Sequence, residues 1–335
     1  MIKVLTTIPG SPGKFWGDHT TLVSEKCVDI TYNPKIGKVF LHTAAFAVAL
    51  KLLRQRKMSD VVVVDSGPVG KWFSWMQSLL ILNKRPTLMV DCLWYRHDNR
   101  IVQWVKASLK RLAARSVTLF AVWARHEVRD YSREFGIGSE KFAYVPFHTT
   151  LDGYAFEIAD EGFVFAGGNG DRDYRVLIEA VRGLDIPVFI AATDTRLFEG
   201  ISIPPNVTVK GLSHADFRRK MASCRIAVVP MRGGLLHSGG QQTFLNSMYM
   251  GKPTIIIGPK VADGYVEDGR NGMVVDYGDA AGLRSAITLL NRDAGLRERM
   301  GASARAFASQ LTTERFVRSI YSLAERIAIK GKDEG

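Results

Sequence analysis

A glycine-rich turn ahead of a helix is the part of this chain best suited to bind an anion. The segment Ser238-Gly239-Gly240-Gln241-Gln242-Thr243 has this form. Gly239 and Gly240 free the backbone, so amides of the turn and of the first helical residues can converge on one point with the helix dipole behind them. The pattern predicts a diphosphate site, in which Thr243 meets phosphate through its amide and hydroxyl or instead caps the helix.

A second loop, Gly167 to Asp173, follows a predicted strand and precedes a predicted helix that starts at Tyr174. Gly167 and Gly168 would let the backbone approach a ligand, and Arg172 would hold phosphate oxygens bidentately. The alternative is an ordinary strand-turn-helix with Arg172 on a solvated face. Together the two loops predict a nucleotide-diphosphate site.

The order and spacing of these loops resemble the carboxy-terminal half of retaining glycosyltransferases of GT-B fold, in particular glycosyltransferase family 4. Residues in register with the family's pattern are Met248, Gly251, Lys252, Pro253, Val266, Glu267, Asp268, Gly269, Asn271, Gly272, Val275, Gly278 and Asp279. The resemblance extends over about forty residues and is therefore more specific than a single short glycine motif.

The resemblance implies two Rossmann-like domains whose parallel sheets face a central cleft, an α/β architecture. It also implies transfer of a sugar, hexosyltransferase-like, from a nucleotide-diphosphate donor to a glycan or lipid-linked acceptor in cell-surface polysaccharide synthesis. No cofactor is expected, and no metal, since helix termini and Arg172 would neutralise the leaving group. The implied donor-binding residues are Gly167, Gly168, Arg172, Ser238, Gly239, Gly240, Gln241, Gln242, Thr243 and Asn246, with Arg172 also catalytic.

Three positions depart from the family's pattern. Gly168 stands where the family has an arginine, and Ser238 and Asn246 stand where it has two glutamates eight residues apart. Asn246 would still accept hydrogen bonds from the donor ribose, more weakly than a carboxylate. Two alternatives therefore stay open: a non-catalytic GT-B relative that acts as a partner or membrane-binding subunit, and a GT-B-type nucleotide-sugar epimerase.

Short apolar runs of strand length alternate with helical stretches along the chain, which predicts parallel sheets covered on both faces. Residues 1–150 are expected to form the acceptor domain and residues 151–311 the nucleotide-sugar domain. The tail is predicted to be helical from Leu283 to Ile329. Its last helix, in residues 312–335, would cross back to the first domain, as in GT-B proteins.

The first half offers two candidates for catalysis, Asp91 and His97, in the segment that follows a predicted strand at Thr87–Asp91. Doubly wound sheets place their ligands at the carboxyl ends of strands. By resemblance, either residue would polarise the acceptor or hydrogen-bond the donor sugar, and nothing in the sequence separates them.

The basic excess lies almost wholly in the first half. Of the net charge of +12, residues 1–150 hold 22 basic against 11 acidic residues, and the remainder 23 against 22. A helix over 101–115 carries an apolar stripe, Ile101, Val105, Leu109 and Leu112, with basic residues on both sides. Such a helix lies either at an anionic membrane surface or with its apolar stripe against the core and its basic residues in solvent. Nucleic acid is not expected as a partner, because no recognisable module interleaves basic and aromatic residues.

The remaining composition excludes several classes of protein. The sequence has no apolar run long enough to span a bilayer, and its start lacks the pattern of a signal peptide, so a cytoplasmic protein is expected, peripheral on the inner face of the membrane if that helix binds lipid. Cys27, Cys92 and Cys224 have neither metal-ligand nor disulfide spacing and are predicted to be buried free thiols.

Overall fold

The computed structural model describes residues 2–7, 20–22, 37–80 and 84–333. It divides into two compact units, one of Met1–Val145 with Glu314–Gly335 and one of Pro146–Thr313. Residues 146–160 contain neither helix nor strand. Each unit is built around its own parallel sheet.

The first unit contains a six-stranded parallel sheet in the order β2-β1-β3-β4-β5-β6. Its strands are β1 (Val4–Thr6), β2 (Thr20–Leu22), β3 (Val61–Asp65), β4 (Thr87–Val90), β5 (Leu119–Val122) and β6 (Phe142–Tyr144). The helices between them are α1 (Gly37–Gln55), α2 (Pro68–Ser78), α3 (Arg100–Ala114) and α4 (Arg125–Phe135). The four valines of β3 are fully buried, as expected for a strand covered on both faces.

The second unit contains another six-stranded parallel sheet, in the order β12-β11-β10-β7-β8-β9. Its strands are β7 (Val164–Gly167), β8 (Val188–Ala191), β9 (Val207–Val209), β10 (Ile226–Pro230), β11 (Thr254–Ile257) and β12 (Met273–Val275). Its helices are α5 (Tyr174–Val181), α6 (His214–Ser223), α7 (Gln241–Tyr249), α8 (Pro259–Ala262), α9 (Ala280–Arg292) and α10 (Ala294–Ala308). From β7 the chain adds strands first on one side and then, starting with β10, on the other. The carboxyl ends of β7 and β10 thus form the switch point where such sheets bind ligands.

The tail predicted to be helical from Leu283 to Ile329 divides into three helices, α9, α10 and α11 (Thr313–Asp333). The first break lies at Asp293, whose side chain accepts a hydrogen bond from the amide of Leu296 and caps α10. Helix α11 packs on the sheet of the first unit, where Ile320 and Ile327 join the cluster that contains Val61.

Candidate functional site

The candidate site of the second unit lies at the carboxyl ends of β7 and β10. Gly167 ends β7, and Gly168 follows with φ +108°, a conformation that favours glycine. An isolated bridge pairs Arg172, in the loop after β7, with Met231, just after β10. This pairing brings the two predicted loops together, because the neighbouring strands end at the same edge of the sheet.

Arg172 is fixed inside this edge and does not point to solvent. It is only 8% exposed. Its Nε donates to the carbonyl of Gly167 (3.1 Å), Nη1 to the carbonyl of Gly170 (2.7 Å) and the sulfur of Met231 (3.0 Å), and Nη2 to the hydroxyl of Thr243 (3.1 Å). A guanidinium has five N–H donors, so these four bonds leave one Nη2 hydrogen for a ligand.

The charge of Arg172 has no carboxylate within ion-pair distance among the residues that the structure describes. Burial lowers the pKa of its guanidinium, the main effect, while Tyr174 and Asp171 act in the opposite direction. Leaving a buried charge unpaired is costly. An anionic ligand would remove that cost, so the arrangement favours binding of phosphate.

The amino terminus of α7 faces the same place. Gly240 precedes the helix with φ +82°, and no side chain caps its first amides. Thr243 is the third residue of α7 and binds Arg172 through its hydroxyl, so it does not act as the helix cap. The amides of the first helical turn remain as donors for an anion, supported by the helix dipole.

Ser238 and Gln241 are both buried next to this turn. The side-chain amide of Gln241 donates to the hydroxyl of Ser238 at 2.5 Å. Gly239 precedes Gly240, and a Cβ atom there would lie 3.0 Å from the methyl carbon of Met231. The two glycines of the turn therefore pack against Met231, and Gln241, Gln242 and Thr243 begin α7 directly after it.

Asn246 is held by the segment that opens the second unit. Its Oδ1 accepts from the hydroxyl of Thr149 (2.9 Å) and the amide of Thr150 (3.0 Å), and its Nδ2 donates to the hydroxyl of Thr150 (3.0 Å). Gln242 also donates to that hydroxyl, at 3.2 Å. These bonds occupy the amide oxygen that the sequence assigns to the donor ribose.

Sequence reasoning missed Asp171, which precedes Arg172 with φ +55°. Its carboxylate lies 3.0 Å from Nε2 of the buried His237 and 3.4 Å from the exposed Arg232. The hydrogen bond with His237, then the nearby charges, hold the pKa of Asp171 below its usual range in spite of burial. Asp171 thus turns away from Arg172 and anchors the loop after β10. Its left-handed backbone left no readable signal in the sequence.

In the first unit the structure separates the two catalytic candidates. Asp91 follows β4 with φ +56°, and its Oδ1 is buried without a hydrogen-bond partner. Burial chiefly, then Asp65 and Glu127, raise the pKa of Asp91. Backbone strain and a perturbed carboxyl are features of functional sites.

His97, in contrast, is exposed, and its Nδ1 accepts a hydrogen bond from the amide of Asn99 at 3.1 Å. It lies in the turn that leads into α3, where Asn99 is the helix cap. Of these two candidates, only Asp91 combines a left-handed backbone with a buried side-chain oxygen that has no hydrogen-bond partner.

Much of the motif that carries the resemblance serves the fold. Lys252 is buried, and its ammonium donates to the carbonyls of Ala159 (2.5 Å) and Cys224 (2.8 Å). Asn271 closes the loop after α8, because its side chain bonds the amide of Glu267 (2.8 Å) and the carbonyl of Tyr265 (3.2 Å). These residues shape the loops around the site and do not reach into it.

The structure also bears on the cysteines, on metal binding and on membrane spans. Cys92 and Cys224 are buried free thiols, and Cys27 lies outside the described residues. Within the described ranges, no group of three or more His, Cys, Asp or Glu residues is arranged to hold a metal ion. No described helix is both long enough and apolar enough to cross a membrane.

Residues 163–293 match the model of the family described as glycosyl transferases group 1. The matched stretch contains β7 to β12 and the loops that hold Arg172 and Gly240. This part of the chain is therefore similar to the domain that the family shares. None of the curated proteins matches the sequence significantly.

Several solved structures resemble the chain over most of its length. HepE from Anabaena, in complex with UDP and glucose, has a TM-score of 0.68 at 16% identity, covering 98% of this chain and 100% of that one. Sucrose-phosphate synthase from Thermosynechococcus elongatus gives 0.68 at 14%, covering 97% and 88%. A variant of TarM from S. aureus, in complex with Fondaparinux, alpha-GlcNAc-glycerol and UDP, gives 0.62 at 14%, covering 83% and 58%.

At these identities the likeness shows the fold. The predicted α/β architecture with two Rossmann-like parallel sheets is confirmed, and so is the predicted resemblance to GT-B glycosyltransferases.

Proposed function

We propose that this protein is a retaining, hexosyltransferase-like glycosyltransferase that moves a sugar from a nucleoside-diphosphate donor to a glycan or lipid-linked acceptor in cell-surface polysaccharide synthesis. The observation that carries the proposal is the environment of Arg172. A buried cation without a carboxylate partner lies beside the uncapped amino terminus of α7. A diphosphate matches both features, since it brings negative charge and several acceptor oxygens.

The same groups would drive the reaction. Cleavage of the bond between the sugar and the diphosphate develops negative charge on the departing phosphate. Donors that are already fixed in place stabilise that charge without reorganising. Arg172 is held by four hydrogen bonds and the α7 amides by the helix, so both meet this requirement. We propose that this stabilisation suffices without a bound metal ion.

Asp91 is the residue of the first unit that we assign to the sugar chemistry. The raised pKa of Asp91 and its unsatisfied Oδ1 suit a carboxyl group that forms a hydrogen bond with a hydroxyl group or transfers a proton to or from it. The strained backbone holds the carboxyl at the end of β4. We expect it to contact either the acceptor hydroxyl or a hydroxyl of the donor sugar.

UDP-glucose is the first donor to test, because HepE has been solved in complex with it. Calorimetric titration of UDP and UMP measures the diphosphate contribution directly. We expect UDP to bind at least about tenfold more tightly than UMP, since a second phosphate adds a charge-assisted contact.

Arg172→Gln should then weaken UDP binding by about tenfold to a hundredfold, the effect of losing a charged hydrogen bond. Arg175→Gln is the matched control, because Arg175 is exposed on α5 and should leave affinity unchanged. Circular dichroism verifies that both variants are folded. Equal binding of UDP and UMP, or equal effects of the two substitutions, would refute the diphosphate site.

One observation favours a second candidate function, donor binding without turnover. The oxygen of Asn246 is already bonded to Thr149 and Thr150, and Ser238 is buried against Gln241, so neither replaces the family's glutamates in charge. Release of UDP from UDP-glucose, measured with and without lipid-linked acceptors, distinguishes sugar transfer from donor binding without turnover. Binding of UDP without release under any acceptor would support the non-catalytic relative, and conversion of UDP-glucose to an epimer without acceptor would indicate an epimerase.

A further inference from the structure

The first unit contains a cavity of about 250 Å³ that is separate from the residues assigned to the diphosphate. It lies between α2, α3 and the loop after β4. Trp75, Leu93 and Leu109 contribute apolar walls, and the side chains of Lys71, Lys106 and Lys110 line it as well. An apolar cavity with three lysines is an unusual combination, because lysine side chains are rarely brought together without acidic partners.

The three lysines repel one another. None has a carboxylate within ion-pair distance in the described part of the chain, and burial lowers the pKa of Lys71 more than the charge of Asp65 raises it. Burial first, then Lys71 and Lys106, lower the pKa of Lys110 to about 8. Its ammonium lies 4.3 Å from the centre of the Phe135 ring. An anion with more than one charge would relieve this repulsion.

Helix α3, which contributes to the cavity, also presents an apolar face to the outside. Ile101 is 75% exposed and Val105 43%, although both belong to the stripe that the sequence predicts along α3. Trp104, on the same helix, is 66% exposed. The sequence left open whether the apolar stripe of α3 faces the core. For Ile101 and Val105 that interpretation is wrong, because α3 buries Ala107, Ala113 and Ala114 instead.

We infer that this cavity binds the phosphate end of a membrane lipid. The phosphate would lie among Lys71, Lys106 and Lys110, and the first carbon atoms of the chain would contact Leu93 and Leu109. At about 250 Å³ the cavity falls below the roughly 300–1,000 Å³ of pockets that enclose a drug-sized ligand, so it fits a head group and the start of a chain. The exposed face of α3 then accommodates the surrounding bilayer, as amphipathic interfacial helices do.

The test uses short-chain phosphatidic acid below its micelle concentration, titrated calorimetrically into the full chain without nucleotide. We expect it to bind at least about tenfold more tightly than inorganic phosphate, which lacks the apolar part, and than phosphatidylcholine of the same chain length, which lacks the net charge. Vesicles of phosphatidylcholine with and without phosphatidic acid then test whether the protein sediments with the anionic bilayer.

Matched variants separate the cavity from general surface charge. Lys106→Ala should weaken binding of phosphatidic acid by about fivefold, whereas Lys51→Ala, at an exposed lysine of α1, should not. Leu93→Ser should also weaken it, whereas Leu79→Ser, at a leucine that is 74% exposed and outside the cavity, should not.

Three outcomes would overturn the inference. The first is that inorganic phosphate binds as tightly as phosphatidic acid, which would make this a free-phosphate site. The second is that Lys51→Ala has the same effect as Lys106→Ala. The third is that a short single-stranded oligonucleotide displaces phosphatidic acid and binds more tightly, which would make the partner a nucleic acid. None of these results depends on sugar transfer, so failure of the proposed function would be recognised separately in the UDP titrations.

Discussion

The two units present positive charge in opposite ways. In the second unit a single guanidinium, Arg172, is held by four hydrogen bonds at the end of the sheet. In the first unit, three lysines surround an apolar cavity, and their ammonium groups make no hydrogen bond or ion pair within the described residues. The guanidinium is preorganised and suits a ligand of fixed geometry such as a diphosphate, whereas flexible lysine stems suit a ligand of variable shape.

The largest expected effect tests how strictly the second unit's site is fixed. In Gly240→Ala, the added Cβ would lie 2.8 Å from the sulfur of Met231 and 3.0 Å from Cγ1 of Val229, at φ +82°. We expect a loss of about 2–4 kcal/mol in the free energy of unfolding, from backbone strain and overpacking together, and a loss of UDP binding. Thermal and urea denaturation measure the first, calorimetry the second.

Gly234→Ala is the control for that experiment. Gly234 has a similar φ of +77° but open space around the position of a Cβ atom. It should lose only about 1–2 kcal/mol, the cost of the left-handed backbone. Equal losses in the two variants would mean that the turn ahead of α7 can move, and the contrast between a fixed and a flexible site would fail.

Asp91→Asn tests the role that we propose for Asp91 and should lower the rate of sugar transfer by about a hundredfold, as for loss of a general acid or base. Asparagine also tolerates φ near +56°, so the fold should survive. Asp98→Asn, at an exposed aspartate, should leave the rate unchanged. An equal rate in both variants would remove Asp91 from the mechanism.

Asp91→Asn should also change how folding stability depends on pH. Because the pKa of Asp91 is raised in the folded protein, its ionised form opposes folding, and this penalty grows as the pH rises from the ordinary carboxyl range through the raised value. Asp91→Asn should therefore be more stable than the wild type at neutral pH, by about 1 kcal/mol. The gain should disappear in acid. Denaturation at several pH values would contradict this if the difference stayed constant.

A smaller effect concerns pH, which should change ligand binding at the lysine cavity and not at Arg172. The pKa of Lys110 is lowered to about 8, so its charge is lost as the pH rises through that value, while Arg172 stays charged. Raising the pH from 7 to 9 should weaken phosphatidic acid binding by about fivefold, the effect of one lysine, and leave UDP binding nearly unchanged. Folding stability should increase between pH 8 and 10.5, because the unfolded chain then binds more protons than the folded one.

The smallest effect concerns Arg232, which is exposed and pairs with Asp171 at 3.4 Å. Exposed ion pairs contribute about 0–1 kcal/mol, so Arg232→Ala should change UDP affinity by less than about threefold. Calorimetry under the conditions used for Arg172→Gln checks this. A tenfold loss of UDP affinity would show that Arg232 contacts the phosphate directly. The second unit would then, like the first, use a cation on a flexible side chain.

The sequence determined the architecture, and it predicted which loops would bind the donor. Alternating apolar runs predicted two parallel sheets, because buried strands and amphipathic helices leave clear periodicities. The glycines at 168 and 240 marked turns, since few other residues adopt their conformations, and Gly167 marked a close approach, because a Cβ atom there would clash with the Phe217 ring. The resemblance also identified Lys252 and Asn271, whose roles proved to be structural.

Only the tertiary structure decided which polar groups are satisfied. Asp65 ends β3 and Asp91 follows β4, and these two aspartates become neighbours because the two strands pair Asp65 with Val90. The unpaired charge of Arg172, the bonds that occupy Asn246 and the gathering of three lysines around one cavity likewise depend on distances between segments far apart in the chain. A hydrogen bond or a charge repulsion acts over a few ångströms in space, and local spacing in the sequence does not report those distances.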